Sequence, residues 1–375
     1  MNRRFDVAVV GGGLVGASAA YFLASRHRLD VVLLERGRVG AQASGVNFGN
    51  VRRQGRTINQ LPLAHHARAI WGELDKHLDD PCEFLVTGHL KLAFDDEQMA
   101  ALEDYAPRAG AAGLDLELMG ANAVHTRFPF LGKGVVGGSF SPQDGNANPR
   151  LVAPAFGRAA RRAGADVREN TEVLDITRTA DGFALETRDG SLRAGTVVNA
   201  AGAWAGRLAQ SFGDTVPMTP RGPMMAVTEP LRYAIRPVLG TGDSSFYMRQ
   251  VERGSVVFGG GARVDVDLDN PFPRPRPEHL LVQLGHMRRL VPSLAGVQVI
   301  RTWSGVEGYM DDKQPAIGFS PNVPGLIHAF GFTGHGFQLA PGVGSVVAEL
   351  AASGTSPVPL ESYAVDRFAA SGDAR

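Results

Sequence analysis

Gly11, Gly13 and Gly16 stand in Gly-x-Gly-x-x-Gly spacing, and an acidic residue, Glu35, follows nineteen positions after the last of them. A turn of this type lets the backbone approach a pyrophosphate. The free N–H groups and positive dipole end of a helix that follows then hold the anion. Gly11 makes the tight turn, Gly13 permits close approach and Gly16 lets helix and strand pack. A carboxylate at Glu35 accepts from both hydroxyls of an adenosine ribose and disfavours a 2′-phosphate, which argues against NADP. A second glycine-punctuated turn, with Gly331, Gly334 and Gly336, lies near the C-terminus. A helix starting there stabilises negative charge on a cofactor ring. Arg52, Arg53 and Arg56 fall within five residues, and guanidinium forks bind carboxylates well.

Particular elements must hold these groups. Residues 5–10 are short, β-branched and apolar after Asp6, as a buried parallel strand is. Residues 17–25 are small and apolar, which suits a helix close against a sheet, and 29–34 form the next strand, ended by Glu35. A NAD domain then runs into another crossover helix. Here residues 40–51 are small, polar and almost without periodicity. Such a loop lines a longer cofactor, with Ser44 and Asn47 near its phosphates and ribityl chain, which favours FAD.

Further along, 61–78 reads as a helix, 84–94 as strands turning at Gly88, 97–108 as an amphipathic helix and 128–140 as strand-like. Asn148 and Pro149 start a helix that ends at Gly164. Strands follow at 165–168 and 171–176, and Asp189-Gly190 signals a hairpin. Residues 196–204 form a buried strand ending in small residues, beside the first glycine turn if both strands share a sheet. Frequent prolines between 217 and 237 end the nucleotide-binding pattern. A hairpin spans 245–260, a proline-rich loop 271–277, a helix 278–290, and a strand with a turn 297–308. The chain closes with a strand at 326–331, the turn at 332–338 and a helix at 341–351.

The 375 residues suggest two to three domains at ~150 residues each. Lys+Arg and Asp+Glu both number 38, so no net field attracts nucleic acid or an anionic membrane. The single cysteine, Cys82, excludes an internal disulfide and a cysteine-based zinc site. His65 and His66 are adjacent on a helix and diverge, so no metal site is expected. The basic start and the apolar run to Ala24 resemble a signal peptide, but Asp6 and the fixed glycine offsets favour a strand-turn-helix. A cytoplasmic protein is expected, with membrane association only through a partner.

Taken together, Gly11–Gly16 with Glu35, residues 43–49, 199–204, 314–318 and 331–341 resemble the FAD-dependent amino acid oxidase family of D-amino acid, glycine and sarcosine oxidases. Residues 50–56 and 137–145 look like the β subunits of opine oxidases and of bacterial D-hydroxyproline dehydrogenases. The resemblance implies an α/β fold: a Rossmann-type, glutathione reductase-like FAD domain with an inserted α+β substrate domain on a mostly antiparallel sheet. The FAD domain is expected at 1–82, 141–222 and 318–375, and the substrate domain at 83–140 and 223–317. FAD contacts beyond the glycines and Glu35 are expected from Leu14, Val15, Arg36, Ala43, Ser44, Asn47, Gly49, Asn50 and Val51. Val173 is placed near the adenine, with Ala200, Ala201, Gly202, Trp204 and Gly308 along the cofactor. Gly334, His335, Gly336, Phe337 and Gln338 are placed by the flavin edge.

Relatives carry an arginine for the substrate carboxylate where this chain has Glu307, in Gly305-Val306-Glu307-Gly308. Either the carboxylate binds elsewhere or Glu307 reads a substrate cation, and the replacement fits a secondary amine with a second functional group better than it fits glycine. Arg52, Arg53 and Arg249 become the carboxylate candidates, with Tyr247 as companion and His335 near the flavin ring. The C-terminal third has no cysteine, so FAD is expected to be non-covalent. The implied reaction is oxidation of a C–N bond in a D-hydroxyproline-, D-proline- or opine-type substrate by hydride transfer to flavin N5, giving an imine. Alternatives are another substrate of the same fold (glycine, sarcosine, glycerol 3-phosphate) or a non-catalytic flavin-carrying subunit. A second dehydrogenase subunit is a candidate partner.

Overall fold

A computed structural model describes residues 3–80 and 82–371. The first sheet is built on Arg4–Val10. It pairs in parallel with Val31–Leu34 on one side and Gly190–Asn199 on the other. Asp166–Arg168 and Leu326–Phe330 extend the parallel set outward, and Ala316–Phe319 closes one edge antiparallel. Central strands buried on both faces must be apolar throughout, and Val31–Leu34 is fully buried. Gly182–Thr187 and Val173–Thr179 add an antiparallel extension to the long strand Gly190–Asn199. Gly190 takes the positive φ of 118° that the hairpin turn requires.

Helices cover one face. Small residues let Leu14–His27 and Gly336–Ser353 approach until the Ser18 hydroxyl donates to the Ala340 carbonyl at 3.1 Å. A methyl on Gly342 would lie 2.7 Å from Ala67 Cβ of Leu61–Gly72. The helix Pro149–Arg162 starts as its sequence dictates: the Asn148 side chain accepts from Arg150 N–H at 3.1 Å, and Pro149 takes the first helical position.

The second, nine-stranded sheet runs from Val299–Ser304 through Met218–Thr228, Val256–Asp265, Tyr247–Gln250, Val238–Thr241, His89–Ala93 and Gly137–Ser141 to Glu117–Gly120. Among the described residues, only the contact between Val238–Thr241 and His89–Ala93 is parallel in this sheet. Glu307–Met310 also pairs with Met218–Thr228.

Several expectations need correction. Residues 40–51 are not a continuous loop: they hold the short helix Ala43–Val46 and the strand Asn50–Val51, paired with Gly145–Asn146. The helix expected at 61–78 breaks at Glu73. Leu85 makes only an isolated bridge to Asn146, and the regular strand begins at His89. Of 128–140, only Gly137 onward is strand. The proline-rich stretch conceals the eleven-residue strand Met218–Thr228. Pro220 and Pro223 fit because the strand changes partner there, from Glu307–Met310 to Val299–Ser304, and is bulged between Pro223 and Met225. The last helix begins at Gly336, with Pro341 inside it rather than at its start.

Candidate functional site

One cavity of about 1140 Å³ runs from the first glycine turn to the turn before the last helix, and both sheets contribute to its wall. Its nucleotide end is set by backbone approach. Gly11 has φ 104°, and a methyl there would run into the Ala200 carbonyl of the neighbouring strand end. The expected adjacency of the two small-residue strand ends is therefore present. A methyl on Gly16 would strike the Gly11 carbonyl, so its hydrogen permits the turn; Gly16 itself does not face the cavity. Gly13 precedes the first helical turn, where Leu14 N–H donates to Ser44 Oγ at 2.8 Å. That hydroxyl keeps its own proton for an acceptor in the cavity. Leu14 and Val15 complete this wall.

Glu35 accepts from Gly12 N–H at 2.7 Å and Gly37 N–H at 2.8 Å, which fixes its carboxylate at the cavity edge. Gly12 was not singled out in the sequence, although a methyl there would lie 2.7 Å from Glu35 Cβ. Its place in three consecutive glycines was the available signal. Arg36 stacks over the Trp204 ring at 3.7 Å, and Val173, Ala201 and Gly202 line the same end.

Asn47 caps its own short helix. Its Nδ2 donates to the Ala43 and Ser44 carbonyls, both at 2.9 Å, and its Oδ1 accepts from Gly49 N–H at 2.8 Å. Asn47, Gly49 and Asn50 reach the cavity; Val51 is fully buried behind it and does not. At the far end the turn is held by Thr333 N–H on the Gly308 carbonyl at 3.1 Å and by Met310 N–H on Thr333 Oγ1 at 3.0 Å. Thr333 takes φ 51°, an unfavourable value for a β-branched residue. The turn delivers His335 to the start of the helix Gly336–Ser353, and Gly334 through Gln338 all line the cavity.

The three arginines near residue 50 meet different fates. Arg53 pairs through Nε with the fully buried Asp144 at 3.1 Å and contacts His65 Nδ1 at 3.1 Å; it is not part of the cavity wall. Arg249 is spent on the Phe48 carbonyl at 2.7 Å and Asn146 Oδ1 at 3.1 Å, and also lies outside the wall. Both expectations of a carboxylate clamp at these residues are corrected: their guanidinium groups hold backbone and side-chain acceptors. Arg52 does face the cavity. It donates to the Gln54 carbonyl, and among the described residues it pairs with no carboxylate. Arg56 lines the cavity but donates to the Arg52 carbonyl at 3.2 Å and the His335 carbonyl at 3.4 Å.

Glu307 faces the same cavity and accepts from the Tyr309 hydroxyl at 3.0 Å. Burial pushes its carboxyl up, against the pull of that hydrogen bond and of Arg263. Arg263 stacks over the Tyr309 ring at 4.3 Å. Tyr247 packs on Phe48 with centroids 4.6 Å apart, and its hydroxyl contacts Met225 Sδ at 3.8 Å. Burial, then the Glu307 charge, raises its phenol. His335 is held well below the usual imidazole range by burial and by the Arg56 and Arg52 charges, so it is neutral at pH 7. Tyr309, Arg263 and Lys91 were missed in the sequence because each becomes a site residue only through long-range strand pairing.

FAD fits what this wall offers. His335 Nδ1, Asn50 Oδ1 and Gln338 Oε1 are buried side-chain atoms without a protein partner. All three residues line the cavity whose other end is the glycine cradle beside Glu35. Uncompensated buried polar atoms of this kind call for a polar ligand. Cys82 is buried and outside the wall, with its thiol pushed up to about 12 by burial. Among the described residues, no three His, Cys, Asp or Glu side chains are grouped to hold a metal, and no helix is long and apolar enough to cross a membrane.

Comparison with known proteins gives the same cofactor. The chain is 28% identical to glycine oxidase of Geobacillus kaustophilus, over 98% of both chains. It is 29% identical to an opine oxidase subunit of Rhizobium meliloti, over 97% of both. The crystal structure of L-proline dehydrogenase from P. horikoshii superposes with a TM-score of 0.92 at 26% identity, covering 99% of each chain. The family model described as DAO, FAD dependent oxidoreductase, matches residues 6–350, and the chain belongs to this family of FAD-dependent oxidoreductases.

Proposed function

We propose that this enzyme oxidises the C–N bond of an amino acid, and of a secondary amino acid of the D-proline, D-hydroxyproline or opine type in particular. The observation that carries the reading is Arg52. It is a cavity-facing guanidinium without a carboxylate partner among the described residues, in the same cavity as the half-buried carboxylate of Glu307. A substrate with a carboxylate and an amine matches that pair of opposite charges. Tyr247 lines the same cavity, and its hydroxyl is the companion donor.

The glycine cradle, Glu35 and Ser44 would hold the nucleotide half of FAD, and the residues from Gly334 to Gln338 its ring. FAD supplies two-electron chemistry: acceptance, at its N5, of a hydride from the carbon next to the amine nitrogen. The protein's own part is binding and positioning. Arg52 fixes the carboxylate, Glu307 fixes the amine, and Met224 and Met225 make part of the wall apolar. His335, neutral and at a helix N-terminus, offers a ring nitrogen to the cofactor without adding charge. An amine that binds neutral needs no side-chain base. FAD is held without a covalent thioether, since the one cysteine is remote. A second, partner subunit is proposed from the relative that is itself one subunit of an opine oxidase, and a cytoplasmic location from the single cysteine, which suits a reducing compartment.

Anaerobic mixing with D-proline, D-hydroxyproline, octopine, nopaline and sarcosine tests the reading by bleaching of the flavin absorbance. At least one amine should reduce the flavin within the mixing time. Reduction by glycerol 3-phosphate and by no amine would overturn it. A yellow protein reduced by neither would instead be a flavin-carrying subunit.

A further inference from the structure

We infer that Lys91 and Arg52 form a second anion subsite at Gly55, and that the natural substrate is a secondary amine with a carboxylate on each arm of its nitrogen. The inference rests on the amine-oxidation reading and narrows its substrate class. Lys91 lies on His89–Ala93, in the interior of the nine-stranded sheet between Gly137–Ser141 and Val238–Thr241. Side chains alternate along a strand. Leu90 and Leu92 go to the apolar core, whereas His89 and Lys91 line the cavity. A lysine at such a place costs stability unless a counter-charge meets it.

Among the described residues no carboxylate forms an ion pair with it. His89 is neutral, kept so by burial and by the charges of Arg52 and Lys91, and its Nδ1 is taken by Gln54 Nε2 at 2.9 Å. The acid that acts on Lys91 is Asp243, whose carboxylate accepts from Ser245 N–H at 2.9 Å and Ser245 Oγ at 2.8 Å and stands outside the cavity wall. The remaining neighbour is a second cation. A methyl on Gly55 would sit 3.3 Å from Arg52 Nη1 and 3.5 Å from Lys91 Nζ. Gly55 itself is exposed, with φ 75°. Two cations therefore converge on one exposed glycine. Burial and the Arg52 charge bring the Lys91 ammonium down to about 8, so it is still largely charged at pH 7.

A simple zwitterionic amino acid would satisfy Arg52 and Glu307 and leave Lys91 unmatched. A dicarboxylate amine matches all three: one carboxylate at Arg52 and Tyr247, the amine at Glu307, the other carboxylate at Lys91 and the Gly55 side of Arg52. Of the other cations on the cavity wall, Lys313 acts on His335 in the C-terminal turn, and two more are engaged within the protein. Arg56 is committed to carbonyls and Arg263 to the Tyr309 ring.

The test compares iminodiacetate with sarcosine, which differ only by the second carboxylate, as reductants of the FAD-loaded enzyme without oxygen. Binding of thiodiacetate, which has sulfur in place of the amine, is followed by perturbation of the flavin spectrum. Iminodiacetate should exceed sarcosine at least tenfold in kcat/KM. Lys91→Met should collapse that ratio toward one and weaken thiodiacetate about tenfold, without lowering the Tm of the ligand-free enzyme. Lys91→Arg should retain most of the ratio. Gly55→Asp, which puts a carboxylate between the two cations, should abolish the preference as Lys91→Met does. Equal use of the two amines, or equal effects of Lys91→Met on both, would overturn the subsite while leaving amine oxidation standing. If no amine bleaches the flavin, the functional reading falls, and thiodiacetate still decides the subsite: binding that Lys91→Met does not weaken overturns it.

Discussion

Glu307→Gln is the most informative single substitution. The residue lies on Glu307–Met310, its carboxylate reaches the cavity, and its one hydrogen bond in the protein comes from the Tyr309 hydroxyl at 3.0 Å. Glutamine keeps the shape and an oxygen acceptor for Tyr309, and removes only the charge. If that charge pairs with the substrate amine, the loss is that of a hydrogen bond to a charged group, about 1.5–3 kcal/mol. At 1.4 kcal/mol per decade this is roughly a 10- to 150-fold fall in kcat/KM. Because burial raises the Glu307 carboxyl above its ordinary 4.5, the ionised form is lost as pH falls through that raised value. The wild-type profile should therefore show an acid limb above the usual glutamate range, and Glu307→Gln should lack it. The assay is anaerobic flavin reduction by the best amine across pH, with FAD content and Tm measured alongside. An unchanged kcat/KM refutes the substrate role. A fall in Tm and FAD content together with activity shows instead that Glu307 holds the Tyr309 turn.

The cofactor end gives two further expectations. Glu35→Ala removes the acceptor of Gly12 and Gly37 N–H as well as the proposed partner of the ribose, and should weaken FAD by about 1–3 kcal/mol; equilibrium titration of the apoprotein with FAD measures it, and unchanged affinity would show that Glu35 does not serve the nucleotide. Acid precipitation should release all the FAD into the supernatant, because the one thiol is buried away from the cavity; yellow colour remaining in the pellet would contradict non-covalent binding.

What was legible in the sequence depended on how local its cause is. Gly11 and Gly16 answer to one strand-turn-helix, so their spacing foretold the tight turn that a methyl on Gly16 would break at the Gly11 carbonyl; the approach of Gly11 to Ala200 needed the further condition that both strand ends share a sheet. Asn148-Pro149 likewise needed only its own helix. Met218–Thr228 was hidden because prolines ordinarily exclude a paired strand. Their tolerance at 220 and 223 comes from a change of partner strand that no local window contains. The helix expected at Pro341 starts five residues earlier, where Gly336 and not proline marks the turn.

The arginines show the same limit in the site itself. Arg52 and Arg53 were equivalent candidates by residue type, and their separation is the work of Asp144. This fully buried carboxylate accepts from Arg53 N–H at 2.9 Å, Arg53 Nε at 3.1 Å and Gln54 N–H at 3.1 Å. It thereby fixes the backbone on the C-terminal side of Arg52 and neutralises Arg53. Gln54 adds a second anchor, donating to the His89 and Ser139 carbonyls at 2.8 and 3.1 Å. Arg52 is the residue between this clamp and the strand Asn50–Val51, so the clamp leaves its guanidinium to the cavity. Asp144 comes from a segment ninety residues away and forms its ion pair with one cation, Arg53. The charge left over on Arg52, joined by Lys91 from the nine-stranded sheet, is what gives this cavity its demand for anions.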